Sequence, residues 1–115
     1  MEVRAILRNV RISPRRGRQV ADLVRRRSCG EALTVLQGSP RRAARALEKL
    51  IRSALANAEE RNARSDAGID LDNLYIKTVT VDEGTRMWRT RPRAYGRAAW
   101  INKGMSHITV VLDER

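Results

Sequence analysis

The stretch from Gly84 to Met105 restricts what this chain can fold into more than any other: it holds no acidic residue, yet it lies between two segments that alternate as strands do. Leu74 to Val81 and His107 to Leu112 are both rich in β-branched residues, so they pair as the two sides of one antiparallel hairpin. Apolar matching sets the register. Val81 opposite Ile108 and Val79 opposite Val110 bring apolar residues to one face, and a slip of one residue would turn them to opposite sides. Carried outward, this register puts the turn between Ala94 and Tyr95, inside Arg93-Ala94-Tyr95-Gly96, where Gly96 tolerates a positive φ. At about 3.3 Å per residue, the roughly ten residues from Gly84 to the turn reach on the order of 30 Å.

That arm carries Arg86, Arg89, Arg91, Arg93, Arg97 and Lys103, together with Met87, Trp88, Tyr95 and Trp100, and Ile101 is its one bulky aliphatic residue. It has no core of its own, and a lone two-stranded ribbon does not support itself in water. Pro92, which lacks a backbone donor, fits an exposed ribbon better than a central strand. In the register above Trp100 faces Arg89 as a cation–π pair. Arginines neutralise phosphates, and Trp and Tyr offer faces to unpaired bases, so the arm is expected to order against RNA.

Charge agrees with this. Lys and Arg number 24 against 13 Asp and Glu, a formal net charge of +11 with a pI near 11.4, which calls for a polyanionic partner. No apolar run approaches the roughly 20 residues that span a bilayer, and no basic amphipathic helix shows a bulky apolar face, so a membrane is not the expected partner. Met1-Glu2-Val3-Arg4-Ala5-Ile6-Leu7 has neither a signal-peptide core nor a transit-peptide composition, so the mature chain is expected to start here, inside a cell or organelle. With 115 residues, one domain and one core are expected.

Catalysis is poorly served. Cys29 is the single cysteine and His107 the single histidine, so no intramolecular disulfide or Cys/His metal cluster can form, and no cofactor is expected. Cys29 stands where a helix N-terminus could lower its pKa, but without an acid–base partner it reads as a small, partly buried residue. Asp82 and Glu83 are adjacent on a strand and point to opposite faces, which favours pairing with arginines at the arm's root over a shared ion.

The rest of the chain reads as a small α+β body. Val3 to Val10 places Val3, Ala5 and Leu7 on one face, with Arg4 and Arg8 among the residues opposite, as a half-buried strand. Ser13-Pro14 starts a helix running to about Arg27, with Val20, Leu23 and Val24 inward and Arg25 to Arg27 on a solvated face. Ser28-Cys29-Gly30-Glu31 has capping-box spacing and opens a short helix through Ala32, Leu33, Val35 and Leu36, ending near Gly38. Ser39-Pro40 starts the longest helix, with Ala43, Leu47, Leu50, Ile51, Ala54, Leu55 and Ala58 at helical spacing. Asn62 to Asn73, including Ser65, Asp66, Gly68, Asp70 and Asp72, reads as a solvated connection.

Several blocks taken in order resemble a known family: Arg11-Ile12-Ser13-Pro14-Arg15-Arg16, Val20-Ala21-Asp22-Leu23-Val24-Arg25, Ser53-Ala54-Leu55-Ala56-Asn57-Ala58, Val81-Asp82-Glu83-Gly84, Arg91-Pro92-Arg93-Ala94, Gly96-Arg97-Ala98 and Ser106-His107-Ile108-Thr109-Val110. From about Val3 to Asp113 the chain is similar to the bacterial-type large-subunit ribosomal protein twenty-two family. The resemblance implies an α+β fold of three helices packed on a small three-stranded antiparallel sheet, with a long protruding β-hairpin. It also implies a structural constituent of the large subunit that binds and organises 23S-type ribosomal RNA during assembly and touches neighbouring large-subunit proteins. The family's hairpin reaches the nascent-peptide exit tunnel, near the macrolide site. Carried over, the tip comprises Met87, Trp88, Arg89, Thr90, Arg91, Pro92, Arg93, Ala94, Tyr95, Gly96, Arg97 and Ala98, facing the nascent peptide. This chain departs from the family's usual basic residues at Trp88 and near Tyr95, and at Lys103-Gly104-Met105.

The candidate RNA-binding residues are Arg8, Arg11, Ser13, Arg15, Arg16 and Arg18 in the body, the arm cations Arg86, Arg89, Arg91, Arg93, Arg97 and Lys103, and His107 at the arm's base. The domain expected is residues 1–115, with a body of 1–84 and 105–115 and an arm of 85–104. No homo-oligomer is expected, and the location implied is the cytoplasmic ribosome or an organellar one. The rival classes are an enzyme, for which no pocket chemistry is in sight, and a DNA-binding architectural protein, which charge alone would permit.

Overall fold

Alternation along three segments builds the sheet, and helical spacing along three others covers it. The computed structural model describes residues 2–65 and 68–114. In chain order the elements are β1 (Val3–Val10), α1 (Pro14–Val24), α2 (Cys29–Gln37), α3 (Arg42–Ser65), β2 (Leu74–Glu83), β3 (Met87–Pro92), β4 (Ala98–Lys103) and β5 (Ser106–Glu114). β1, β5 and β2 form an antiparallel sheet in that order, and β3 and β4 form a separate two-stranded ribbon. The fold is α+β, as the resemblance implies.

β5 is central, so its inward residues Ile108, Val110 and Leu112 are almost fully buried, as are Val3, Ile76 and Val79 from the flanking strands. Against them pack Val20, Ala21 and Val24 of α1, Ala32 and Leu36 of α2, and Leu47, Ile51 and Ala54 of α3. Each fully buried Val, Leu or Ile contributes about 1.5–3 kcal/mol, so this single core carries the body's stability. The register predicted for the hairpin's base is the observed one, with Val81 opposite Ile108 and Val79 opposite Val110.

Four expectations change. α1 ends at Val24, not near Arg27, because Arg25 is extended and Arg26 takes a left-handed φ of 66°, turning its N–H toward the Ile76 carbonyl at 2.9 Å. Its inward stripe is Gly17, Val20, Ala21 and Val24, and Leu23 points outward, 43 % exposed. α3 begins at Arg42, two residues beyond Pro40, since Ser39 Oγ accepts from the Arg41 N–H at 3.3 Å in a turn that precedes the helix. It then continues to Ser65, so Asn62 to Ser65 are helical. Ile69 is buried, held by Asn62, whose side chain accepts from the Ile69 N–H at 2.9 Å and donates to its carbonyl at 2.8 Å. Leu71–Asn73 form a single 3-10 turn, while Asp66 lies outside the described residues.

Arg25 to Arg27 are not simply a solvated face. β2 is an edge strand, and its outward carbonyls need donors. Arg25 Nη2 donates to the Val79 carbonyl at 3.0 Å and Arg18 Nε to the Val81 carbonyl at 3.0 Å, while the Arg27 carbonyl accepts from the Ile76 N–H at 2.9 Å. The segment after α1 thus finishes the sheet edge.

Candidate nucleic-acid interface

The arm leaves the sheet through a joint. Gly84 N–H donates to the Met105 carbonyl at 2.8 Å, continuing the body's register, but the next pair is Met87 with Lys103. Three steps along the outgoing chain match two along the returning one, so the arm's register is offset by one residue from the body's. The predicted facing of Trp100 with Arg89 is therefore corrected: Trp100 opposes Thr90, and Arg89 opposes Ile101.

This offset sorts the arm's chemistry. Cross-strand partners share a face, so Met87, Arg89 and Arg91 lie on one side with Lys103, Ile101 and Ala99. Trp88, Thr90 and Pro92 lie on the other with Asn102, Trp100 and Ala98. Without the offset the two tryptophans would fall on opposite faces, each beside a cation. With it, every strand cation is on one face and both tryptophans are on the other, Trp88 57 % and Trp100 71 % exposed.

At the tip, Arg93 N–H donates to the Arg97 carbonyl at 2.6 Å and closes a turn over Ala94, Tyr95 and Gly96. The turn centres on Tyr95, which takes a φ of 62° beside Gly96 at 68°. Tyr95 is 99 % exposed, so nothing in the chain packs on it.

The root is tightly fitted. His107 Nδ1 accepts from the Asn9 N–H at 3.1 Å, where β1 bulges and Asn9 takes a φ of 57°, which leaves the Nε2–H tautomer for the neutral ring. A Cβ on Gly84 would stand 3.2 Å from the His107 ring and from the Met105 carbonyl oxygen, tighter than ordinary van der Waals contact, so a larger residue there requires the root to shift. Buried Ser106 donates from Oγ to the Ile12 carbonyl at 2.5 Å, fixing the β1–α1 turn to the start of β5. His107 therefore holds the root, and Ser106, which the sequence reading did not single out, does the same.

Four of the five body arginines expected to bind RNA line two clefts on either side of the α1 N-terminus. Ser13 caps α1, accepting from the Arg16 N–H at 3.3 Å. Arg15, Arg18 and Arg86 line a cleft at the arm's root with Glu83, whose carboxylate pairs with Arg86 at 3.2 Å. Arg11 and Arg16 line the other with Arg41 and Arg42. Arg8, on β1 and exposed, lines neither. Arg41 and Arg42 are not among the residues expected from the sequence, and only the fold brings them beside Arg11 and Arg16.

Cys29 is buried at the start of α2, and burial pushes its thiol from 9.0 up to about 11, opposite to a helix N-terminus effect. Among the described residues no cluster of His, Cys, Asp or Glu could hold a metal ion, and no helix is long and apolar enough to cross a membrane.

The family model described as Ribosomal protein L22p/L17e matches residues 5–113. The chain is 47 % identical over 115 residues, the full length of both, to the large ribosomal subunit protein uL22 of Syntrophobacter fumaroxidans. It is 50 % identical over 114 residues, 99 % of each chain, to that of Desulfotalea psychrophila.

Proposed function

The chain belongs to the ribosomal protein L22p/L17e family, structural proteins of the large ribosomal subunit and not enzymes, and from that premise we propose that it binds and organises 23S-type ribosomal RNA during assembly while its arm tip lines the nascent-polypeptide exit tunnel. Its place is the cytoplasmic ribosome, with large-subunit RNA and neighbouring ribosomal proteins as partners. Body (1–84 and 105–115) and arm (85–104) act as one domain: the body docks on RNA through the arginines flanking α1, and the arm threads between RNA segments.

The observation that carries this reading is the sorted arm. A ribbon without a core, with Arg89, Arg91 and Lys103 on one face, gains its order from phosphates on that side. The uncharged face with Trp88 and Trp100 is left for unpaired bases and the tunnel lumen, and the projecting Tyr95 turn meets the nascent peptide.

The test is binding of the full chain to large-subunit RNA at increasing salt. With about six phosphate contacts, affinity falls roughly 1,000-fold between 50 and 200 mM salt, and Arg89→Gln with Arg91→Gln lowers the slope by about two. A flat salt response contradicts the reading. The DNA-binding alternative is separated by sedimentation, where recovery with the nucleoid and not with large subunits would favour it.

A further inference from the structure

Two registers meet at the arm's root. In the body, buried Val79, Val81, Ile108 and Val110 fix one of them, and it runs out to Gly84, whose N–H donates to the Met105 carbonyl at 2.8 Å. In the arm the tip fixes the other, since the bond from the Arg93 N–H to the Arg97 carbonyl closes the turn and the pairs from Pro92–Ala98 back to Met87–Lys103 follow from it. Between Gly84–Met105 and Met87–Lys103 the outgoing chain has two residues, Thr85 and Arg86, against one on the return, Gly104. Two residues opposite one make a β-bulge, which bends its strand and increases the local twist.

Directions around the joint agree with this. A Cβ on Gly84 would meet the His107 ring, while one on Gly104 would face Pro14 Cδ at 3.9 Å, so the two glycines look to opposite sides of the ribbon. Arg86, Asn102 and Gly104 line the cleft with Ser13 and Pro14 on the α1 side, where Arg86 pairs with Glu83 across the bulge at 3.2 Å. Met87 and Lys103, one step further out, therefore lie on the His107 side. The Thr85 side chain itself is exposed.

Resting on the reading of the arm as an element that threads between RNA segments, we propose that Thr85 is a positioning residue: through its place in the backbone, and not through its side chain, it makes the bulge that sets the direction in which the arm leaves the body. Removing it leaves the rest intact. Arg86 then stands alone opposite Gly104, and the ladder runs unbroken from Val79–Val110 to Pro92–Ala98 with every pair kept. Both faces keep their residues, because Gly84, Arg86 and Met87 already alternate. The return strand, which sets the arm's length, is untouched, and threonine carries no charge. Only the bend is lost. The tip lies on the order of 30 Å from the joint, so a change of about 20°, the size of one strand-to-strand twist, carries Tyr95 about 10 Å sideways. That is roughly twice the spacing of paired strands, and a slot fitted to the ribbon no longer receives it.

The experiment compares the full chain with a variant lacking Thr85 and with Thr85→Ala. In a Cys29→Ala background, spin labels on Tyr95→Cys and on either Arg45→Cys of α3 or Thr80→Cys of the uncovered sheet face report the mean distance from body to tip; both body positions are exposed. The deletion is expected to shift at least one of the two distances by about 5 Å or more, with unchanged circular dichroism, and Thr85→Ala to shift neither. With large-subunit RNA added to the unlabelled proteins, the deletion variant keeps the exchange protection of its body and loses roughly 10-fold or more of the protection that RNA gives β3 and β4, while Thr85→Ala retains it. A glycine inserted after Gly104 cancels the bulge from the other strand, two residues against two, and is also expected to move the tip; it serves if the deletion variant does not fold. Unchanged distances without Thr85 would overturn the positioning role and leave the RNA-binding reading standing. So would a displaced tip whose β3 and β4 amides RNA protects as fully as in the unaltered chain. An unaltered chain whose arm gains no protection from RNA would overturn the reading of the arm on which the proposal rests.

Discussion

At the scale of single residues, packing decides what charge and position leave open. Cys29 sits where a helix terminus would favour a thiolate, but burial dominates and its thiol rises from 9.0 to about 11. In the folded chain at pH 8, alkylation is therefore expected to run on the order of 100-fold slower than in denaturant, and equal rates would contradict the burial. Because the folded value is raised, the thiol's contribution to stability is intact below pH 9 and is lost as pH climbs toward 11. Arg25 makes the same point from the other side. Its Nη2 serves the Val79 carbonyl at the sheet edge, so Arg25→Ala is expected to lower stability by about 0.5–1.5 kcal/mol in chemical denaturation. No change would return it to the solvated face the sequence assigned. That a cation is present was legible. Which carbonyl it reaches was not, since Val79 lies 54 positions along the chain and meets α1 only in the folded state.

At the scale of elements, legibility follows burial. Ser13 and Ser28 cap their helices as read, and the β2–β5 register was correct because Val79, Val81, Ile108 and Val110 must share a buried face. The arm has no such face, so nothing in its sequence fixed the one-residue offset after Gly84, and the sorting of tryptophans from cations became visible only with the fold. The same lack of burial makes the arm the least stable element. In hydrogen exchange of the free chain, β3 and β4 amides are expected to show little protection while central β5 amides are the slowest, and RNA is expected to slow the arm by a larger factor than any element of the body. Arm amides as protected as β5 without RNA would contradict this.

At the scale of the molecule, shape and charge are arranged along one axis. The Cα radius of gyration is 17.5 Å and the long dimension 66 Å, against about 13 Å for a compact chain of similar size. Glu2, Asp70, Asp72, Asp113 and Glu114 collect where β1 begins and β5 ends, away from the arm. There Glu2 and Asp113 flank Lys77, and the hydrogen bond its ammonium donates to the Glu2 carboxylate holds it above the usual lysine range. The arm end is left to arginines. None of the buried hydrophobic residues comes from 85–104, so replacing the arm with a short glycine turn is expected to move the melting temperature by less than about 5 °C. A collapse of the fold would show that body and arm are one cooperative unit.

The most direct measurement is a map of the large subunit containing this protein, resolved to side chains. The sorted arm predicts Arg89, Arg91 and Lys103 against RNA phosphates, Trp88 and Trp100 on the opposite side, and the Tyr95 turn at the wall of the exit tunnel. An arm lying on the subunit surface, or one with its arginine face open to the tunnel and its tryptophan face on phosphates, would contradict it.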